Sequence, residues 1–259
     1  VVHDHCYRCG VWRICKETHS ASATSSSMTI KKLPARISRI VDLSRSAREV
    51  TITLPEPIAF APGAFVNVFM DREGTRERRA YSISSSALQQ ERIALTIRKG
   101  SIGGMSERFW EPDIRTTPLS VMGPLGLNTI DRITKSRVFL FGFGIGVSVV
   151  KGLAEALLAR SDLAELTIVT GSRTEDDILY KQFFDSLHDP RLTIRFVVSR
   201  PTNPQYRYGG YIQDHVADFD FSHATAYLCG QGSACAALRE TIEESNPTDI
   251  QFLVESFDS

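Results

Sequence analysis

The chain has 259 residues, 42% of them hydrophobic and 23% charged. That is the balance of an ordinary globular protein rather than a disordered one, and the length suits one large domain or two small ones. Thirty Lys and Arg face thirty Asp and Glu, so the basic excess of a general nucleic-acid binder is missing, while local clusters for small acidic ligands are still compatible with the neutral sum. The most apolar run, Val138–Val150, is thirteen residues with three glycines, short of the ~20 that a membrane-spanning helix needs.

The opening Val1-Val2-His3-Asp4-His5-Cys6 lacks a basic-then-apolar signal layout. Cys6, Cys9, Cys15, Cys229 and Cys235 make an odd count, which fits a reducing cytoplasm better than a disulfide framework. A start on Val and a stop just after an apolar strand-like run read as a piece of a longer polypeptide.

Three stretches are expected in chain order. Residues 1–27 crowd His3, His5, Cys6, Cys9 and Cys15 ahead of a Ser/Ala/Thr linker, Ser20–Ser27. Residues 28–130 show short strand-like runs (35–41, 49–54, 64–70, 93–98) punctuated by turn residues such as Pro62-Gly63, the pattern of a small antiparallel β barrel. Residues 131–259 alternate strands (138–141, 166–169, 192–198, 226–228, 251–254) with helices (147–159, 177–187, 234–244), the pattern of an α/β domain on a parallel sheet.

Four groups of residues carry chemistry. Arg79-Ala80-Tyr81-Ser82, read as the start of a strand, offers a forked guanidinium for phosphate and an aromatic ring with a hydroxyl for a flat heterocycle. Arg79 and Tyr81 share one strand face, with Ser82 on the other. The same four residues also suit an exposed strand with ordinary polar decoration. Gly100-Ser101-Ile102-Gly103-Gly104-Met105-Ser106 leads into a short helix whose free N–H groups would bind an anion, or it is a flexible loop with a capping serine.

Gly142-Phe143-Gly144-Ile145-Gly146, between a strand and a helix, would let the backbone approach a pyrophosphate, or it is a tight turn that needs small residues. Leu228-Cys229-Gly230-Gln231-Gly232 ends a strand where open α/β sheets meet ligands, although Cys229 reads first as a small buried hydrophobe. No Ser-His-Asp or Cys-His order argues for hydrolysis.

In this order, with Phe60-Ala61-Pro62-Gly63, Gly123-Pro124-Leu125-Gly126 and a terminal Glu255-Ser256-Phe257, these motifs resemble the ferredoxin–NADP reductase superfamily over roughly residues 34–257. The resemblance implies a flavin, FAD or alternatively FMN, in the barrel and NAD(P)H on the α/β domain. It implies hydride transfer to the flavin, and electrons leaving singly to an iron–sulfur protein, a ferredoxin-type domain or a similar one-electron acceptor. Carried over residue by residue, Arg79 would bind flavin phosphate. Tyr81 would lie along the isoalloxazine, and Ser82 would bond near its N5. Gly103, Gly104, Met105 and Ser106 would hold the flavin phosphates. Gly142 and Gly144 would admit the dinucleotide, Cys229 and Gly230 would flank the nicotinamide, and Glu255 and Phe257 would lie by the flavin.

The family's turn usually reads Gly-x-Gly-x-Thr-Pro, and this chain is read as having Gly146-Val147 in the last two places. Its Cys-Gly is usually followed by Pro, where Gln231 stands here. Ser172-Arg173 and Ser199-Arg200 each follow a strand and favour NADPH over NADH through a 2′-phosphate, or they are solvated surface arginines; Asp176 and Asp177 nearby would repel that phosphate. A rival reading is a flavin-binding electron-transfer or regulatory module with an impaired nicotinamide site. A third is a metal-binding module at Cys6-x-x-Cys9 with Cys15, which needs a further ligand to complete it.

Overall fold

The computed structural model describes residues 29–72 and 74–257. Cys6, Cys9 and Cys15, and with them the metal-module reading, lie outside the described residues. Among those described, no group of three or more His, Cys, Asp and Glu is placed to hold a metal, and no helix is long and apolar enough to cross a membrane.

The first sheet is antiparallel: β1 (Lys31–Ser44), β2 (Ala47–Thr53), β3 (Phe65–Arg72), β4 (Thr75–Ser82), β5 (Arg92–Arg98) and β6 (Leu119–Leu125), in the order β4-β3-β6-β1-β2-β5. β1 is long enough to pair with β6 through Lys31–Ala35 and then with β2 through Arg36–Ser44. This handover, with a bulge between Ile37 and Arg39, curls the sheet around one core. Alternation supplies that core: Val66, Val68 and Met70 from β3, Val50 and Ile52 from β2, and Ile93, Leu95 and Ile97 from β5, all buried. Each such side chain contributes ~1.5–3 kcal/mol of hydrophobic stabilisation.

The second sheet is parallel: β7 (Arg137–Phe143), β8 (Glu165–Ser172), β9 (Leu192–Val198), β10 (Ala224–Gln231) and β11 (Gln251–Phe257), in the order β11-β10-β7-β8-β9. Both faces are covered, which is why Val138–Phe141 is one unbroken apolar run. α1 (Val147–Leu158) lays Val149, Val150, Leu153, Ala154 and Leu157 on one face at helical spacing, against Leu140, Ile168, Tyr227 and Leu253. α3 (Gly232–Glu244) covers the opposite face with Cys235, Leu238 and Ile242, against Phe139, Phe141 and Leu228. The guanidinium of Arg191 donates to the carbonyls of Leu158 (2.7 Å) and Arg160 (3.0 Å), serving the carbonyls that the end of α1 leaves unpaired.

The architecture is the barrel-plus-parallel-sheet arrangement expected, with three local corrections. Arg79–Ser82 closes a strand instead of opening one. β4 begins at Thr75, and its polar run Arg76-Glu77-Arg78 pairs regularly with β3, as an edge strand tolerates. Gly123-Pro124-Leu125, whose Gly-Pro-x-Gly pattern reads in sequence as a turn, is the end of β6, with a cis Gly123–Pro124 bond. The helix expected at 177–187 splits into a 3-10 turn at Glu175–Asp177 and α2 (Lys181–Ser186), because Tyr180 takes a left-handed φ of 58° between them.

Candidate active site

The register of β4 on β3 places Tyr81 opposite Val66, Arg79 opposite Val68 and Glu77 opposite Met70. Directly paired residues share a face, so three polar side chains extend the core-facing row onto an edge strand. Toward β5 the sheet is joined by the Ile83–Leu95 bridge, and the segment after β5 covers part of the remaining gap. There the Tyr81 hydroxyl lies 2.9 Å from Ser106 Oγ, and the Tyr81 ring meets Phe109 edge-on at 5.8 Å. Burial pushes the Tyr81 phenol up from its ordinary pKa, and the Ser106 bond opposes that.

Arg79 is exposed, and among the described residues its guanidinium reaches only the Arg78 carbonyl, at 3.5 Å. Oε2 of Glu77 is buried with no partner. An open barrel edge with an uncommitted guanidinium, an orphaned acceptor and an aromatic wall fits a flavin nucleotide: Arg79 suits its phosphate, Glu77 a donor hydroxyl. Ser82 stands on the opposite face, paired with Phe65, and is buried. The helix expected after Ser106 is a four-residue 3-10 turn, Glu107–Trp110. Two expected anion donors are already engaged: Gly103 N–H donates to Glu107 Oε2 (2.6 Å) and Gly104 N–H to the Ser101 carbonyl (3.0 Å). Met105 turns its side chain into the core.

In the parallel sheet the strand order reverses between β7 and β10, and such switch points open a crevice at the carboxyl ends of the strands. The glycine turn and Cys229-Gly230 line it. Gly144 has a φ of +54°, and an added Cβ would meet nothing within 4 Å, so its backbone is bare to an approaching ligand. A Cβ at Gly146 would overlap the Cys229 carbonyl oxygen, so only glycine lets the turn rest on the end of β10. At Gly142 it would press on Val147 at 3.0 Å, a packing role rather than an exposed one.

Counted from Gly144, the turn reads Gly144-Ile145-Gly146-Val147-Ser148-Val149. A hydroxyl does occupy the fifth place, on Ser148 in the first turn of α1. That residue is 3% exposed. The Cys229 thiol is wholly buried, and burial pushes its pKa well up. The residue therefore meets the crevice through its backbone.

Glu255 pairs with Cys229, and Phe257 with Gln231, across β10 and β11. Asn128, just past β6, donates from Nδ2 to the Val254 carbonyl (2.8 Å) and to Glu255 Oε2 (3.1 Å), and its own carbonyl accepts from the Tyr227 hydroxyl (2.8 Å). Burial holds the Glu255 carboxyl above the ordinary glutamate pKa, with the Asn128 bond pulling the other way. Phe257 is half-buried against the α1-side core. Sequence reasoning missed Asn128 altogether, since no pattern links it to residues 126 positions later. Ser148 had a signal, the Gly-x-Gly-x-Ser spacing counted from Gly144.

The two Ser-Arg pairs lie side by side at the ends of β8 and β9: Ser199 N–H donates to the Ser172 carbonyl (3.0 Å) and Arg200 N–H to the Arg173 carbonyl (2.8 Å). Both guanidinium groups are exposed and bond to no described residue. In the strand order they lie on the far side of the glycine turn from Cys229 and Glu255.

Residues 34–129 match the model of the oxidoreductase FAD-binding domain, and residues 140–239 that of the oxidoreductase NAD-binding domain. The reductase subunit of an aromatic O-demethylase from Amycolatopsis is 28% identical over 82% of this chain and 65% of its own length. The phenol hydroxylase P5 protein of Acinetobacter pittii is 25% identical over 78% and 58%, so the chain spans less than two thirds of these two relatives. Ferredoxin–NADP reductase B of Sorangium cellulosum is 28% identical over 80% of this chain and 89% of its own. Among solved structures, an Amycolatopsis cytochrome P450 reductase superposes with a TM-score of 0.79 at 24% identity, over 93% of this chain and 74% of that one. The two domain matches in this order, on a barrel that opens beside a parallel-sheet crevice, place the chain in the ferredoxin–NADP reductase superfamily, with an FAD-binding and an NAD-binding domain.

Proposed function

We propose that the chain is an NAD(P)H-dependent flavoprotein reductase that feeds a separate one-electron acceptor, an iron–sulfur protein or domain of an oxygenase system. The observation that carries this reading is the meeting of two incomplete binding edges. One is the polar row Glu77–Arg79–Tyr81 on the open side of the barrel, and the other is the crevice lined by Gly144, Gly146 and Ser148. Bound FAD would supply the conversion of a two-electron hydride into single electrons.

The remaining work falls to the chain's own groups. Arg79 holds the flavin phosphate and Tyr81 walls the ring. The bare backbone at Gly144 admits the coenzyme pyrophosphate, and Ser148 and the backbone of Cys229-Gly230 orient the nicotinamide end. Glu255, held by Asn128 Nδ2, presents its carboxyl beside the crevice, and Phe257 shields the flavin face. Arg173 and Arg200, adjacent and uncommitted, favour NADPH by receiving a 2′-phosphate. Against the rival reading, an impaired nicotinamide site, stands Ser148, a hydroxyl in the first turn of α1 that can serve where the family's turn has Thr.

The names of the oxygenase reductases among the relatives support an oxygenase component as acceptor. The free, buried Cys229 and Cys235 support a reducing, cytoplasmic setting. The test is an assay with purified holoprotein, NADPH and a [2Fe–2S] ferredoxin, with ferricyanide as a second acceptor. Flavin-dependent reduction of both is expected. Reduction of neither, with flavin bound, would overturn the assignment.

A further inference from the structure

Between the barrel and the parallel-sheet domain runs a polar contact that the binding motifs do not use. Lys151, on α1, donates from Nζ to the Ser84 carbonyl at 3.0 Å. Its ammonium also lies 4.8 Å from the centre of the Phe183 ring and 5.5 Å from that of Tyr180, within cation–π range. The Tyr180 hydroxyl in turn lies 2.6 Å from Thr96 Oγ1 on β5 and 3.5 Å from Ser84 Oγ. Ser84 and Thr96 belong to the barrel, Lys151, Tyr180 and Phe183 to the other domain. Both barrel residues are buried, Ser84 at 0% and Thr96 at 3% exposure. Tyr180 holds the left-handed φ of 58°, a strained conformation for a bulky side chain that persists only where its surroundings fix it. At Gly152 an added Cβ would come within 3.6 Å of the Ile83 carbonyl oxygen, so α1 rides close on this segment.

Position gives the contact its meaning. Ser84 is two residues beyond Ser82, on the segment that carries Arg79 and Tyr81. Lys151 is three residues beyond Ser148, on the helix that opens at the coenzyme turn. The ammonium thus joins the flavin strand to the coenzyme helix within one turn of both motifs. We propose that Lys151 and Tyr180 are positioning residues that set the spacing between the nicotinamide-binding turn and the flavin-binding strand. This rests on the reductase reading above. Neither residue touches a reacting atom. They hold the two half-sites in register so that the nicotinamide stacks at transfer distance, and a shift of about 1 Å between reacting groups can cost about 100-fold in rate.

The experiment uses the FAD-loaded protein as Lys151→Met, Lys151→Arg and Tyr180→Phe variants beside wild type. Two readouts are taken: flavin reduction in single turnover at saturating NADPH, and the long-wavelength charge-transfer absorbance that develops when the dithionite-reduced protein is titrated anaerobically with NADP⁺, with no electron acceptor protein present. Reduction about 10- to 100-fold slower in Lys151→Met and Tyr180→Phe is expected. Charge-transfer absorbance should weaken, the coenzyme Kd should stay within about twofold, and Lys151→Arg should recover most of both signals. Should Lys151→Met not fold, Tyr180→Phe, which removes one oxygen atom, decides alone. Wild-type rate and absorbance in the folded variants would overturn the proposal. A wild-type flavin that NADPH does not reduce would instead overturn the reductase reading, and the NADP⁺ titration would still report on the contact.

Discussion

Arg79 occupies a place where the barrel's core-facing row would otherwise continue as an apolar residue, and its guanidinium is uncommitted. Arg79→Ala should therefore weaken flavin binding by about 1.5–3 kcal/mol, the worth of a hydrogen bond to a charged group. This is measurable as flavin content after gel filtration and as flavin Kd, and full retention would remove Arg79 from the site. Arg200→Ala should raise the KM for NADPH and leave that for NADH nearly unchanged, whereas equal effects would show that it does not read the 2′-phosphate. At Glu255 the raised pKa comes from burial, so the folded state disfavours the ionised form. The contribution is fully present below the ordinary glutamate value of 4.5 and is lost as pH rises through the raised one. Thermal melts across that range should show wild type losing stability relative to Glu255→Gln as pH rises; parallel curves would contradict the raised pKa. Phe257 distinguishes two roles by one substitution. If its ring competes for the flavin face, Phe257→Ala tightens coenzyme binding by about 0.5–1.5 kcal/mol. If it only caps the core, the variant loses stability, by up to ~3–5 kcal/mol for a fully buried ring, with no gain in affinity.

Among the elements, the turn from β7 into α1 carries the most specific prediction. Gly146→Ala forces a methyl group onto the Cys229 carbonyl oxygen, an overpacking of about 1–3 kcal/mol or more. It should lower Tm and weaken coenzyme binding together; unchanged melting and affinity would show that the turn does not rest on β10. The same turn shows where sequence reasoning stopped. Glycines at 142, 144 and 146 repeat at equal spacing, so the motif could be counted from two starting points. The contact of Gly146 with Cys229, 83 positions later, is what distinguishes the glycines, and no local pattern carries it. β7 through β11 were legible because strands covered on both faces must be apolar throughout. β4 was not fully legible, since its residues from Thr75 to Arg79 are polar and its pairing depends on the edge position and on its hairpin with β3. α2 was placed too early because helical periodicity does not register one left-handed residue at Tyr180.

For the whole molecule, length and alternation were enough to announce a barrel followed by an α/β domain, and the ordered motifs announced what the two domains bind. The way the halves meet was not legible. Lys151 and Ser84 lie 67 positions apart, Tyr180 and Thr96 lie 84, and Asn128 and Glu255 lie 127, and nothing in their neighbourhoods singles them out. Yet the central claim depends on that meeting, because hydride transfer requires the flavin strand and the coenzyme turn to face one site. Anaerobic mixing of the purified, flavin-loaded protein with NADPH, followed by the visible absorbance of the flavin in a stopped-flow instrument, tests this most directly. The account predicts rapid bleaching by one equivalent of NADPH, at rates that saturate with coenzyme. A flavin that stays oxidised, although coenzyme binds, would contradict it.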